Sequence, residues 1–158
     1  ETQFSLNTQI CPFVNGDDIC APVEKILVSF GYEVIVDAEK ITLELEQQLQ
    51  GFEHSAIITS FDPKIHRALQ QQKSKFKRGF LIETDVKYQA IDDALQLGCS
   101  QIGWMNELAS PQMIQATQNA KLNISVWTVN DVNRAKQLRD LGVQGLITDY
   151  PKLMLQHL

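Results

Sequence analysis

The sequence has few of the features that mark a specialised class. Its three cysteines, Cys11, Cys20 and Cys99, are an odd set without CxxC spacing. That pattern indicates neither a disulfide framework nor a zinc site, and it fits a reducing compartment. No apolar run approaches the ~20 residues needed to span a bilayer, and the first residues lack a basic-then-apolar leader. The expectation is a cytoplasmic protein with no membrane span. Positive charge is outweighed: 14 Lys and Arg stand against 19 Asp and Glu, a net charge of −5. A general phosphate-backbone surface, and with it nucleic acid as a partner, is excluded on that balance. The one basic cluster, Lys73, Lys75, Lys77 and Arg78, reads as a solvated helix end. There is no G-x-G-x-x-G after the first strand and no G-x-x-x-x-G-K-[ST], so dinucleotide and P-loop readings lose their main support.

What is present describes one globular α/β domain over residues 1–158, 44% apolar with eight Gly and five Pro. A chain of this size buries roughly 68–70% of its extended-chain surface and needs no crosslinks. It is too short for a complete eight-stranded α/β barrel of about 250 residues. Because it begins at Glu1, the expectation is a processed product or part of a longer protein.

Short apolar runs alternate with helix-period segments along the chain. Phe4 to Ile10 reads as a strand, and Ile19, Val23, Ile26, Leu27 and Phe30 as a helical stripe ending at Gly31. Tyr32 to Val36 reads as a short strand or an ordered loop. Ile41, Leu45 and Leu49 mark a helix closed by Gly51. Strands follow at Ser55–Thr59, Arg78–Ile82, Gln101–Trp104, Ile124–Thr128 and Gly145–Thr148. Helices are predicted from Asp62-Pro63, over Lys87–Leu97, from Ser110-Pro111 to Lys121, from Asn130-Asp131 to Leu141, and from Pro151. Strand–helix–strand spacing of this kind implies right-handed crossovers and parallel strands. Periodicity leaves two architectures open, a doubly wound open sheet or part of a barrel.

In parallel α/β folds ligands bind beyond the C-terminal strand ends. The residues there are Asn7, Gln9 and Cys11, then Thr59 and Ser60, Glu83 and Asp85, Trp104 and Asn106, Thr128 and Asn130, Thr148 and Asp149. The set is rich in neutral hydrogen-bonders and poor in catalysts. His54, His66 and His157 fall before a strand, inside a helix and beside the C-terminus, so a Ser-His-Asp or Cys-His arrangement lacks its central member. Cys11 reads as an inert thiol. Glu83 and Asp85 read as metal ligands or as solvated loop acids, and Asp149 as a ligand-binding residue or a helix start.

Val126-Trp127-Thr128-Val129-Asn130-Asp131, followed by Gly142-Val143-Gln144-Gly145-Leu146-Ile147-Thr148-Asp149-Tyr150-Pro151, resembles the "WTVN" and "GV.G.ITD.P" segments of the glycerophosphodiester phosphodiesterase family. Ile58-Thr59-Ser60-Phe61-Asp62 is similar to that family's "SSF" strand end, and Arg78-Gly79-Phe80-Leu81 to the strand after it. The likeness runs from about residue 4 to the C-terminus, with residues 31–51 longer than the family norm. It implies an α/β fold of parallel (β/α) TIM-barrel type, here incomplete and holding the later strands only. It also implies hydrolysis of a glycerophosphodiester to an alcohol and glycerol 3-phosphate, with a divalent metal (Mg or Ca) and two histidines as acid and base.

The family's "HRG", "E.D" and "HD" segments have no counterpart in this chain. The "N.E.KP" pattern meets Asn7-Thr8-Gln9-Ile10-Cys11-Pro12, which places Gln9 at the metal-binding Glu and Cys11 at the phosphate-facing Lys. A neutral amide is a poor ligand for a hard dication, and a thiol brings no positive charge. Carried over from the family are Trp127, as an apolar contact to the glycerol moiety, and Ser60, as its polar neighbour. A family hydrolase that lacks its catalytic half, a degenerate member acting as a binding or interaction protein, and an unrelated small α/β ligand-binding protein are the functional expectations. An incomplete barrel leaves strand edges unpaired, so a homo-oligomer or a missing N-terminal half is the expected partner.

Overall fold

The computed structural model describes residues 38–158 and the pair Cys11–Pro12. The strands are β1 (Cys11–Pro12), β2 (Ile57–Ser60), β3 (Lys77–Ile82), β4 (Gln101–Met105), β5 (Asn123–Trp127) and β6 (Gly145–Leu146). The helices are α1 (Ala38–Gln48), α2 (Pro63–Gln71), α3 (Gln89–Gln96), α4 (Pro111–Asn119), α5 (Val132–Asp140) and α6 (Pro151–His157). The sheet order is β1-β6-β5-β4-β3-β2. β2 through β6 are parallel, each separated from the next by a helix, which is the alternation the sequence predicts. The predicted strand Phe4–Ile10, the helical stripe to Phe30 and the segment Tyr32–Val36 lie outside the described residues.

Three helices start on side-chain caps legible in the sequence. The Asp62 carboxylate accepts from the Lys64 N–H at 2.8 Å ahead of Pro63. Ser110 Oγ accepts from Met113 N–H at 3.2 Å ahead of Pro111, and Asp131 accepts from Arg134 N–H at 2.7 Å. Each such cap stabilises its helix by about 1 kcal/mol. Gly98 and Gly142, with φ of +65° and +83°, follow α3 and α5 in the left-handed region that a glycine enters without strain.

The differences from expectation have local causes. α3 begins at Gln89 rather than Lys87, because Lys87 itself sits at φ 51° and cannot continue a right-handed helix. β6 spans only Gly145–Leu146, although Ile147 still bonds to Val126 and Val129, and the chain turns at Thr148, whose hydroxyl donates to Asn130 Oδ1. β1 breaks the all-parallel expectation. Cys11 faces Leu146 and Pro12 faces Gly145 in antiparallel register, an edge position that suits a proline with no N–H to donate.

Side chains on one sheet face pack beneath the helices. The main core joins Phe80, Ile82, Ile102, Trp104, Ile124, Val126 and Leu146 to Ile91, Ile114 and Leu138. A smaller cluster of Ile58, Leu69 and Phe76 lies under the β2 end of the sheet. Trp104, 1% exposed, donates its indole N–H to Thr117 Oγ1 at 3.1 Å, so the buried ring leaves no polar group unpaired.

Candidate functional site

Strand pairing sets which side chains share the other sheet face, the one away from the helices. Gly79 pairs with Gln101 and Gln101 with Asn123; Leu81 pairs with Gly103, Gly103 with Ser125 and Ser125 with Gly145. At the C-terminal end of that face Met105 pairs with Trp127. In a barrel this is the interior surface, and its top is where ligands are bound.

Trp127 is fixed there by two contacts. Its indole N–H donates to the Gly103 carbonyl at 3.0 Å, and its ring meets Phe61 edge-on, with centroids 5.3 Å apart at 83°. Gly103 makes this possible. A Cβ at that position would lie 2.5 Å from Leu81 Cδ2, 3.1 Å from Ser125 Oγ and 3.6 Å from Trp127 Cδ1. Behind the ring, Gln101 donates to Ser125 Oγ at 3.0 Å in a buried polar pair. Trp127 remains half-buried and open at the strand ends.

Ser60 is placed differently. It pairs with Phe80 and therefore shares the helix-facing side of the sheet. Its hydroxyl accepts from Asp62 N–H at 3.0 Å, closing the turn into α2. The side chain the structure brings to Trp127 is Phe61, next in sequence. Gln9 lies outside the described residues, and Cys11 lies on the edge strand β1.

Between the ends of β5 and β6 Asn130 forms a polar knot. Its Nδ2 donates to Asp149 Oδ2 at 2.7 Å, and its Oδ1 accepts from Thr148 Oγ1 and from Asp149 N–H, both at 3.0 Å. The Asp149 carboxylate thus serves Asn130, while α6 starts at Pro151 with no side-chain cap bond from Tyr150. Arg134 of α5 secures the turn after β4, donating to Asn106 Oδ1 at 2.9 Å and to the Ala109 carbonyl at 2.8 Å.

The histidines stand apart from this surface. His54 and His157 are exposed outside the strand ends. His66 is fully buried in α2, with Nε2 3.1 Å from the Ser60 carbonyl, the ring edge-on to Phe80 and Nδ1 without a hydrogen-bond partner. Burial holds its pKa below the ordinary range, opposed by the hydrogen bond to Ser60. Burial also pushes the Cys99 thiol up to about 11, which keeps it protonated and unreactive at neutral pH. Glu83 and Asp85 are exposed. Among the described residues no group of three His, Cys, Asp or Glu side chains is placed to hold a metal ion.

Gly103, Phe61 and Arg134 are the residues that strand-end reasoning passed over. Only Gly103 leaves a local signal, a glycine inside the apolar run Ile102-Gly103-Trp104.

The fold has clear relatives. The chain aligns with the structure of an Oleispira antarctica phosphodiesterase in complex with the product sn-glycerol-3-phosphate, at 16% identity and TM-score 0.68, over 76% of this chain and 49% of that one. It aligns with a glycerophosphodiester phosphodiesterase from Parabacteroides distasonis at 15% identity and TM-score 0.66, over 80% of this chain and 53% of that one. The chain therefore spans about half the length of these solved structures, and the parallel α/β sheet is of their TIM-barrel type. In sequence it is 41% identical over 44 residues to the Bacillus subtilis protein named "Putative glycerophosphodiester phosphodiesterase YhdW", covering 28% of this chain and 18% of that protein. The profile of the glycerophosphoryl diester phosphodiesterase family matches residues 24–153, and with that match over most of its length the chain belongs to the glycerophosphoryl diester phosphodiesterase family.

Proposed function

We propose that this chain supplies the later strands and the ligand-contacting wall of a glycerophosphodiester-binding barrel. In this reading it is hydrolase-like in family, and the catalytic histidines and metal-binding acids belong to segments other than those described. The observation that carries the proposal is Trp127, a half-open aromatic face locked over Gly103 at the C-terminal end of the interior surface. A flat apolar ring at that level suits the carbon face of a glycerol unit, and the Asn130–Thr148–Asp149 knot lies at the neighbouring strand end.

The family's chemistry generally depends on a divalent metal. Among the described residues no three-ligand group is placed to hold one, and the family resemblance puts the neutral Gln9 at the expected acidic position. No step through a metal is therefore assigned to this chain, and 1–158 is read as one α/β unit that binds without turning over. Gln9 and Cys11 favour a second reading, a degenerate member that binds glycerophosphodiesters without cleaving them.

Titration with sn-glycerol 3-phosphate, followed by the indole N–H resonances, tests the first reading. Trp127 is expected to shift saturably while the buried Trp104 does not, and no movement of Trp127 would sink the proposal. Metal-dependent release of glycerol 3-phosphate from a glycerophosphodiester by the full-length parent would eliminate the degenerate reading.

A further inference from the structure

His66 lies near the start of α2 with none of its surface exposed. The Ser60 carbonyl 3.1 Å from Nε2 can only accept, so the neutral ring carries its proton on Nε2 and leaves Nδ1 bare and without a partner. A buried nitrogen left unpaired costs free energy, and a leucine here would bury no nitrogen at all. Packing alone therefore gives no reason for an imidazole. The Nε2 bond does.

The carbonyl that receives this bond belongs to the residue before Phe61. Phe61 stands in the bend between β2 and α2, 44% exposed, with its ring edge-on to Trp127 at 5.3 Å. The other side-chain bonds of the bend are local: Asp62 N–H donates to Ser60 Oγ at 3.0 Å, and Lys64 N–H to the Asp62 carboxylate at 2.8 Å. Bonds across two residues fix the shape of a turn but not its place on the helix body. His66 reaches back six residues and supplies that tie. The ring is itself held from the sheet. Arg78 of β3 donates through one guanidinium nitrogen to the His66 carbonyl and through another to the Gly98 carbonyl, both at 2.9 Å. Phe80, also of β3, meets the imidazole edge-on with centroids 5.6 Å apart. Packed and hydrogen-bonded contacts thus run without a gap from β3 through His66 and Ser60 to Phe61 and Trp127.

We propose that His66 is a positioning residue of the ligand wall: its bond to the Ser60 carbonyl sets where Phe61 stands, and Phe61 sets the Trp127 face that a glycerophosphodiester meets. The last step rests on the ligand reading given under Proposed function. The placement of the two aromatic rings does not.

The test follows the two indole N–H resonances of the 158-residue chain, with the buried Trp104 as the control for the fold. His66→Leu removes the donor. His66→Phe also removes it but keeps a ring against Phe80, and so serves if leucine unsettles the core. His66→Gln restores a donor. Both donor-free variants are expected to shift the Trp127 indole and the Phe61 amide while Trp104 stays in place. They should also weaken sn-glycerol 3-phosphate by about two- to tenfold, the equilibrium worth of one hydrogen bond. His66→Gln should return both readouts toward the native values. A role confined to stability lowers the urea midpoint and leaves the Trp127 resonance where it is, and that result would overturn the proposal. A moved ring with unchanged affinity, or no recovery in His66→Gln, would overturn it too. If sn-glycerol 3-phosphate leaves native Trp127 unmoved while the donor-free variants displace the ring, the positioning stands and the glycerophosphodiester reading fails. If the ligand binds native and donor-free proteins alike with Trp127 in place, the positioning alone fails.

Discussion

Gly103 decides where Trp127 lies. The indole can reach the Gly103 carbonyl because nothing projects from Cα between Leu81, Ser125 and the ring. Valine suits strands better than glycine, so intrinsic propensity alone says that Gly103→Val stabilises β4. Packing predicts the opposite. A Cβ there meets Leu81 Cδ2 at 2.5 Å, a distance no relaxed side chain keeps, and crowds Ser125 Oγ at 3.1 Å, and overpacking of this kind costs about 1–3 kcal/mol. Gly103→Val is therefore expected to lower the urea midpoint and to red-shift Trp127 emission as the ring is pushed outward. An unchanged midpoint with unchanged emission would show that Leu81 turns away freely and that Gly103 does not set the ring. The same reasoning separates Ser60 from Phe61. The sequence resemblance marks Ser60, yet strand alternation turns it toward the helices and delivers the next residue to Trp127.

At the scale of elements, α2 is tied to the end of β2 by His66, whose Nε2 lies 3.1 Å from the Ser60 carbonyl while Nδ1 has no partner. The neutral ring donates from Nε2, and charging it would place a proton at an apolar, unpartnered nitrogen. Desolvation is the main reason its folded pKa lies below 6.5, with the Ser60 bond opposing and the Arg78 charge adding to the depression. The sign of the pH effect follows. A group depressed on folding binds more protons unfolded, so its contribution is complete above about pH 6.5 and is lost as pH falls through the folded value. Urea midpoints measured from pH 7 to pH 5 should fall in the native protein and fall less steeply in His66→Gln, which retains a donor for Ser60. Equal slopes in the two proteins would remove His66 from the pH response.

Element order was well exposed in the sequence, because caps such as Asp62-Pro63, Ser110-Pro111 and Asp131 are local chemistry that the structure repeats. The burial of His66 and the Arg134 clamp on the Asn106 turn were hidden. Each depends on a partner from another element, and helical periodicity says nothing of such partners. For the candidate site, strand-end position marks Trp127 and Asn130, which the structure sets at and just beyond the end of β5. It missed Phe61, whose role is set by the pairing of β2 with β3.

At the scale of the whole molecule the sheet of the described residues is open, in the order β1-β6-β5-β4-β3-β2. β2 through β6 run parallel, and among the described residues β2 ends the sheet with nothing paired on its outer side. In the relatives of about twice this length the barrel type of the fold closes the sheet on itself, and closure is what removes exposed strand edges. A parallel strand unpaired on one side among the described residues, with an apolar residue such as Ile57 on the interior face, offers an edge on which another segment or chain can pair. The 158-residue chain is therefore expected to self-associate, with sedimentation velocity giving a concentration-dependent shift above the monomer between about 10 and 100 µM, as for a weak interface. An inward-pointing charge is a common guard of such edges, so Ile57→Lys should move the population toward monomer without altering the helix signal, since Ile57 lies outside the two core clusters. A native chain that sediments as a single monomer across the range would mean that the β2 edge is already satisfied within one chain.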